Sequence, residues 1–172
     1  MSAEPIAALP DPTRLLDVTP LVSRDDWYTP PSLFEQMQVE FDLDVCSPPG
    51  GVPWIPAKRY FTENDDGLAQ PWEGFVWCNP PYSDPGPWMD RIRGHGNGII
   101  LVRADLSSGA YFRAFEDADY LHVPRGRLQF VNGHGGSASS VTFTTVLLGF
   151  GTKAGAALNR LDGCVRSLVS LP

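Results

Sequence analysis

The sequence is poor in the residues that build metal knuckles and disulfide scaffolds: its 172 residues include three cysteines and three histidines. Cys46, Cys78 and Cys164 are odd in number and far apart, which excludes a disulfide framework or a closely paired zinc knuckle. His95, His122 and His134 lack ligand spacing, read as surface or loop residues, and leave no metal site expected. Lysine is also scarce, eleven of the thirteen basic side chains being arginine. Arginine suits forked contacts to phosphates and base edges, although a GC-rich coding genome gives the same bias. No run approaches the roughly 18 apolar residues of a membrane helix. The N-terminus, with Glu4 and Asp11 among prolines, lacks the basic start and apolar run of a signal peptide, so a cytoplasmic protein without a membrane partner is expected.

A formal net charge of -7 counts against a protein that coats DNA by simple phosphate neutralisation. The acidity is unevenly placed: residues 1–72 hold twelve acids against four bases, and residues 73–172 hold eight against nine. A polyanion would therefore face the second half. Hydrophobic residues make up 42%, with five Trp and nine Phe, enough to bury the core of one domain.

Residues 1–24 contain four prolines and no sustained period, and read as a flexible extension, with a single domain over 25–172. Thr29 can cap a helix over 31–40 with Pro30 at its first position, since Leu33, Phe34, Met37 and Phe41 share one face. Phe41 to Cys46 reads as a short strand, followed by a loop over 47–56 whose four prolines and two glycines suit neither helix nor strand. Gly74 to Cys78 is a second buried strand, stopped by paired prolines. Gly98 to Arg103 is a third. Ser108 to Asp117 reads as a helix with Tyr111, Phe112 and Phe115 on its apolar stripe, before a strand at Tyr120 to Val123. Leu128 to Val131 and Val141 to Phe150 flank a Gly/Ser-rich loop and predict an antiparallel pair at one edge. The pattern is α/β, a mostly parallel sheet with helices on its faces and an antiparallel edge hairpin.

The most informative tetrapeptide is Asn79, Pro80, Pro81, Tyr82, at the carboxyl end of a strand, the edge where open α/β sheets bind ligands. The prolines fix the backbone, so the Asn79 side-chain oxygen and the Pro80 carbonyl can point the same way. Two aligned acceptors suit the exocyclic amine of a heteroaromatic ring, whose lone pair they would free for attack, and Tyr82 offers a face for an extruded base. Taken alone, the same turn is equally readable as a strand end with Tyr82 closing the core.

The neighbouring sequence adds more. The run Asp25, Asp26, Trp27, Tyr28, Thr29, Pro30, Pro31, then Phe41 to Cys46, Arg59 to Thr62, Asp65 to Trp72 and Val76 to Tyr82 resembles one family throughout, the phage-type (Dam-like) DNA N6-adenine methyltransferases. The resemblance implies a Rossmann-like S-adenosylmethionine-dependent methyltransferase fold and direct transfer of a methyl group to the N6 amine of a flipped adenine in DNA. It makes Asn79, Pro80, Pro81 and Tyr82 the catalytic turn. For S-adenosyl-L-methionine it points to Trp27, Tyr28, Thr29 and Pro30, to Asp44 with Cys46 beside it, to Phe61, and to the turn of Asp65 and Asp66. A carboxylate at a strand end can accept from an ammonium or ribose hydroxyls, and Trp27 or Phe61 can pack an adenine; Asp65 and Asp66 read equally well as solvated turn residues. No glycine fingerprint follows the first strand, Ser47, Pro48, Pro49, Gly50, Gly51 standing in its place. Arg125, Gly126, Arg127 with Phe130 match the family's Gly-Arg-hydrophobic segment, placing Arg125 and Arg127, with Arg103, near phosphates or the flipped base. Cys78 precedes Asn79 and reads as a small strand residue. Target selection is expected from loops over 84–97 and 132–140. N4-cytosine methylation, an RNA or protein amide substrate, and an idle DNA-binding or cofactor-sensing module are the alternative readings.

Overall fold

A computed structural model describes residues 27–105, 107–132, 139–140 and 143–168. The expected extension over 1–24, Asp25 and Asp26, His134 and most of the Gly/Ser-rich loop lie outside the described residues. The strands in chain order are β1 (Trp27–Tyr28), β2 (Leu43–Asp44), β3 (Val76–Cys78), β4 (Gly98–Arg103), β5 (Tyr120–Pro124), β6 (Gln129–Asn132), β7 (Ser139–Ser140), β8 (Thr145–Phe150) and β9 (Gly163–Ser167). The helices are α1 (Pro31–Met37), α2 (Gly86–His95), α3 (Gly109–Asp117) and α4 (Thr152–Leu158).

The main sheet has the order β2-β3-β4-β8-β5-β9, and β1-β6-β7 form a small antiparallel sheet. The β2–β3 and β3–β4 pairs are parallel, whereas β8 runs antiparallel to both β4 and β5. With β9 antiparallel to β5, four of the six strands share one direction. This is a mixed α/β architecture with a mostly parallel central sheet. The predicted edge hairpin is corrected: β6 pairs with β7 and β1, and β8 lies in the middle of the main sheet. The reason is burial. Every residue of β8 is buried, a pattern suited to a central strand covered on both faces.

Alternate residues of the strands feed two cores. Trp77, Ile99, Leu101 and Leu147 pack with Leu33, Phe34 and Met37 of α1 and Ala154, Ala157 and Leu158 of α4. Val76, Cys78, Ile100, Val102 and Leu148 face Met89 and Ile92 of α2 and Tyr111 and Ala114 of α3. The sheet is therefore the middle of three layers. Burying these side chains supplies the main stabilisation, at about 25 cal/mol per Å² of apolar surface.

Several local expectations change. Pro30 is the N-cap of α1 and Pro31 its first residue, while the Thr29 hydroxyl is buried and makes no hydrogen bond among the described residues. Helix α1 stops at Met37 because Gln38 adopts a left-handed conformation, its N–H donating to the Phe34 carbonyl. In α3 the Ser108 side chain caps the Tyr111 N–H as its position suggests, but Phe112 is 55% exposed and Ala114 takes the buried position. The expected loop over 84–97 contains α2, begun by Pro87 in its first turn and stopped by Gly96 at φ +71°. Arg93–Asp117 and Arg113–Asp90 ion pairs tie α2 to α3 on the outside. His122, expected at the surface, is fully buried on β5, flanked by β8 and β9, with neither ring nitrogen hydrogen-bonded among the described residues.

Candidate active site

Parallel strands deliver their carboxyl ends to one edge. Asp44 ends β2, Asn79 follows β3, Arg103 ends β4 and Pro124 ends β5. The strand β1 crosses this edge near Asn79, since the Asn79 Nδ2 donates to the Trp27 carbonyl at 3.0 Å. The other half of that amide, Oδ1, is buried and has no hydrogen-bond partner among the described residues. An unsatisfied buried acceptor costs about 1–3 kcal/mol, a cost that a donor from a ligand would relieve.

A cavity of about 500 Å³ opens beside it, lined by Trp27, Tyr28, Thr29, Asp44, Cys46, Asp66, Asn79 and Pro81 among others. This volume lies within the range of about 300–1,000 Å³ typical of small-molecule sites. Its carboxylates are Asp44, Glu63 and Asp66, and among the described residues no lysine or arginine lines it. An acidic, partly apolar cavity of this kind favours a cationic organic ligand. The Thr29 hydroxyl is a further buried polar group there, without a hydrogen-bond partner among the described residues.

Asp44 is 2% exposed, and burial pushes its carboxyl up to about 6. The Cys46 N–H, donating to Asp44 Oδ1 at 3.2 Å, offsets part of this. The neighbouring Ser47 hydroxyl also lowers it. The adjacent chain is laced to the same strand, Phe61 N–H donating to the Asp44 carbonyl at 2.9 Å and Ser47 N–H to the Phe61 carbonyl at 2.8 Å. Asp65 and Asp66 separate in role. Asp65 is held locally, accepting from the Thr62 N–H at 2.8 Å and the Thr62 hydroxyl at 2.7 Å, which lower its pKa. Asp66 turns left-handed at φ +51° and faces the cavity. Gly67 completes the turn: a Cβ there would lie 2.3 Å from the Val45 carbonyl oxygen, so only glycine lets the turn approach β2 this closely.

Pro30, Phe61, Asp65, Pro80 and Tyr82 do not line the cavity. Phe61 packs beneath it against the second core, and Pro80 is buried in the turn. The Tyr82 ring meets Phe143 at 4.9 Å and Phe130 at 6.1 Å, both edge to face. Burial pushes the Tyr82 phenol well above its usual range, so it stays neutral. Arg103 stands with its guanidinium 4.8 Å from the Phe143 ring centre, and its Nε is buried without a hydrogen-bond partner among the described residues. Arg125 pairs with Asp162 at 3.1 Å, and Arg127 is exposed. Cys78 is buried and its thiol is pushed well up by burial, which keeps it protonated and inert. Among the described residues no group of His, Cys, Asp and Glu could hold a metal ion. No helix among them is long and apolar enough to cross a membrane.

The family model described as DNA N-6-adenine-methyltransferase (Dam) matches residues 17–155. The chain belongs to this family. It is 26% identical over 124 residues to the DNA N-6-adenine-methyltransferase of Haemophilus phage HP1 (strain HP1c1), an alignment covering 66% of this chain and 70% of that one. The chain is accordingly an enzyme of adenine N6 methylation in DNA, and the resemblance read from its motifs is borne out. The methyltransferase class implies S-adenosylmethionine as methyl donor and DNA as substrate.

In this methyltransferase some cavity residues escaped sequence reasoning: Ser47, Val52, Thr62, Glu63 and Trp88. Glu63 had a legible signal, an acid two residues before Asp65 in the same turn. Trp88 had none, because its place depends on α2 packing against Trp72, 6.3 Å away between ring centres.

Proposed function

We propose that the enzyme binds S-adenosylmethionine in the acidic cavity and presents a flipped adenine to it with the N6 amine held by Asn79 Oδ1 and the Pro80 carbonyl, on a Rossmann-like methyltransferase scaffold. The observation that carries this reading is the buried Asn79 Oδ1, unpaired among the described residues, beside a cavity lined by three carboxylates. When bound, the cofactor supplies an electrophilic methyl on a cationic sulfur. Asp44, ionised above pH 6, accepts from an ammonium or hydroxyl group at the end of β2. Asp66 and the Thr29 hydroxyl offer further acceptors, and Trp27 and Tyr28 supply the apolar and aromatic wall.

The acceptors at Asn79 and Pro80 bind the two amine hydrogens. Drawing these hydrogens out of the base plane withdraws the nitrogen lone pair from the ring and aims it at the methyl, an alignment effect that needs no covalent enzyme intermediate. One of the two amine protons is released to solvent after transfer, which returns the nitrogen to neutral. Tyr82, braced by Phe130 and Phe143, stacks on the extruded base. Arg103, Arg125 and Arg127, all carried at the carboxyl ends of β4 and β5 or just after, contact phosphates and the base surround.

The test is methyl transfer from radiolabelled S-adenosylmethionine to unmethylated DNA, followed by digestion and identification of the labelled nucleoside. Label is expected in N6-methyladenine, and Asn79→Ala is expected to lower kcat by about 10²–10³-fold with cofactor binding retained. Wild-type turnover in that variant would remove Asn79 from the chemistry.

A further inference from the structure

An asparagine amide has two orientations of nearly equal shape, related by exchange of its oxygen and nitrogen. Only one of them presents an acceptor to an amine. In this enzyme the choice is made by a backbone oxygen 52 residues away: Asn79 Nδ2 donates to the Trp27 carbonyl at 3.0 Å. Exchanging the two ends would set oxygen against oxygen there and turn the NH₂ toward the substrate amine.

The carbonyl is itself held. Trp27 and Tyr28 are in antiparallel register with Asn132 and Val131 of β6. On the other side the Trp54 Nε1 donates to the Thr29 carbonyl at 2.8 Å. The segment 27–29 is thus fixed from two directions, and Thr29 and Pro30 are buried.

We propose that the Trp27 carbonyl is a positioning group for methyl transfer, locking the Asn79 amide with Oδ1 toward the target amine. The proposal rests on the role given to Asn79 above. It makes β1 part of the active site through its main chain, in addition to its cavity-lining side chains. It also links Asn79 to β6, the strand that follows Arg125 and Arg127.

The discriminating variant is Asn79→Asp, which retains an oxygen toward the amine but places a second oxygen against the Trp27 carbonyl. When ionised, this carboxylate cannot donate; when protonated, its O–H restores the bond to Trp27. The ratio of variant to wild-type kcat is therefore expected to be low at pH 8.5 and to rise by about tenfold per pH unit on acidification toward the variant carboxyl's pKa. KM for S-adenosylmethionine should stay within about twofold of wild type. Asp44, Glu63, Asp66 and Cys46 share the cavity and are present in both proteins, so their effects largely cancel in the ratio.

A ratio independent of pH, with the variant folded by circular dichroism, overturns the positioning role. Asn79→Ala in parallel separates the two ideas: full activity there sinks the proposed role of Asn79, whereas an inactive Asn79→Ala with a flat Asn79→Asp ratio sinks only the role of Trp27. Wild-type protein provides an independent reading by NMR. One Asn79 Nδ2 proton is expected downfield of the ordinary side-chain amide range and protected from exchange, and two protons at unstructured-peptide shifts exchanging without protection overturn the proposal even if the variant fails to fold.

Discussion

Asp44 stands opposite Trp77 in the parallel register of β2 and β3, two residues before Asn79. Neighbouring strand ends thereby place the cavity carboxylate and the Asn79 turn side by side. Strand spacing fixes Asp44 against Trp77, and the two prolines after Asn79 stiffen the turn beyond β3, which suits a reaction requiring in-line alignment.

The buried Asp44 makes stability depend on pH. Its folded pKa of about 6 lies above the ordinary 3.8, so its contribution favours the fold below about pH 4 and is lost as pH rises through 6. Asp44→Asn is expected to stabilise the unliganded protein at pH 8 by about 1–3 kcal/mol and to leave it unchanged near pH 3.5. Urea denaturation at the two pH values measures this. The same variant should bind S-adenosylmethionine more weakly in calorimetry, and wild-type affinity should fall below pH 6 as the carboxylate is protonated.

His122 pulls in the other direction. Burial lowers its pKa, with Asp162 opposing weakly, so the folded state holds it neutral while the unfolded chain takes up a proton below about pH 6.5. Stability from this group is present above pH 6.5 and falls on acidification. His122→Leu is expected to gain about 1 kcal/mol relative to wild type between pH 8 and pH 5. Thermal melting at both pH values decides; equal shifts at both would exclude the linkage.

Gly67→Ala should distort the turn against the Val45 carbonyl, costing about 1–3 kcal/mol. Because Asp66 moves with it, cofactor affinity should drop by a larger factor than kcat. Equilibrium binding and single-turnover rates on the same preparation separate the two.

Arg127 is exposed and makes no ion pair among the described residues, whereas Arg125 is already neutralised in part by Asp162. Arg127→Ala is expected to reduce the salt slope of DNA binding by about one, and Arg125→Ala by less. Equal reductions would mean that DNA displaces Asp162 from Arg125.

The parts of the fold legible in the sequence were those whose signal is local. Gly98–Arg103 was bounded correctly because an apolar run ends at a charge, and α3 because Ser108 caps it. The Asn79 turn was legible because two prolines allow little else. By contrast, α4 has the sequence TKAGAAL, whose small residues give no strong period; its reason lies in Gly155, packed so tightly on Tyr120 that a Cβ would overlap the ring. The central place of β8 was hidden because strand order is a long-range property. The Asn79–Trp27 contact was hidden for the same reason, and the burial of His122 depends on β9, whose exposed residues carry no apolar alternation.

The position of β8 bears on how the chain is made. Residues 98–103 and 120–124 are synthesised early, yet the strand that separates them ends only at Phe150. Until it emerges from the ribosome, β4 and β5 each present an open row of unpaired amides and carbonyls, with the apolar side chains of Ile99 to Val102 alongside. Nascent chains halted between these points are expected to be templates for strand addition by other chains, so delivery of the last central strand is a vulnerable step in the synthesis of this enzyme.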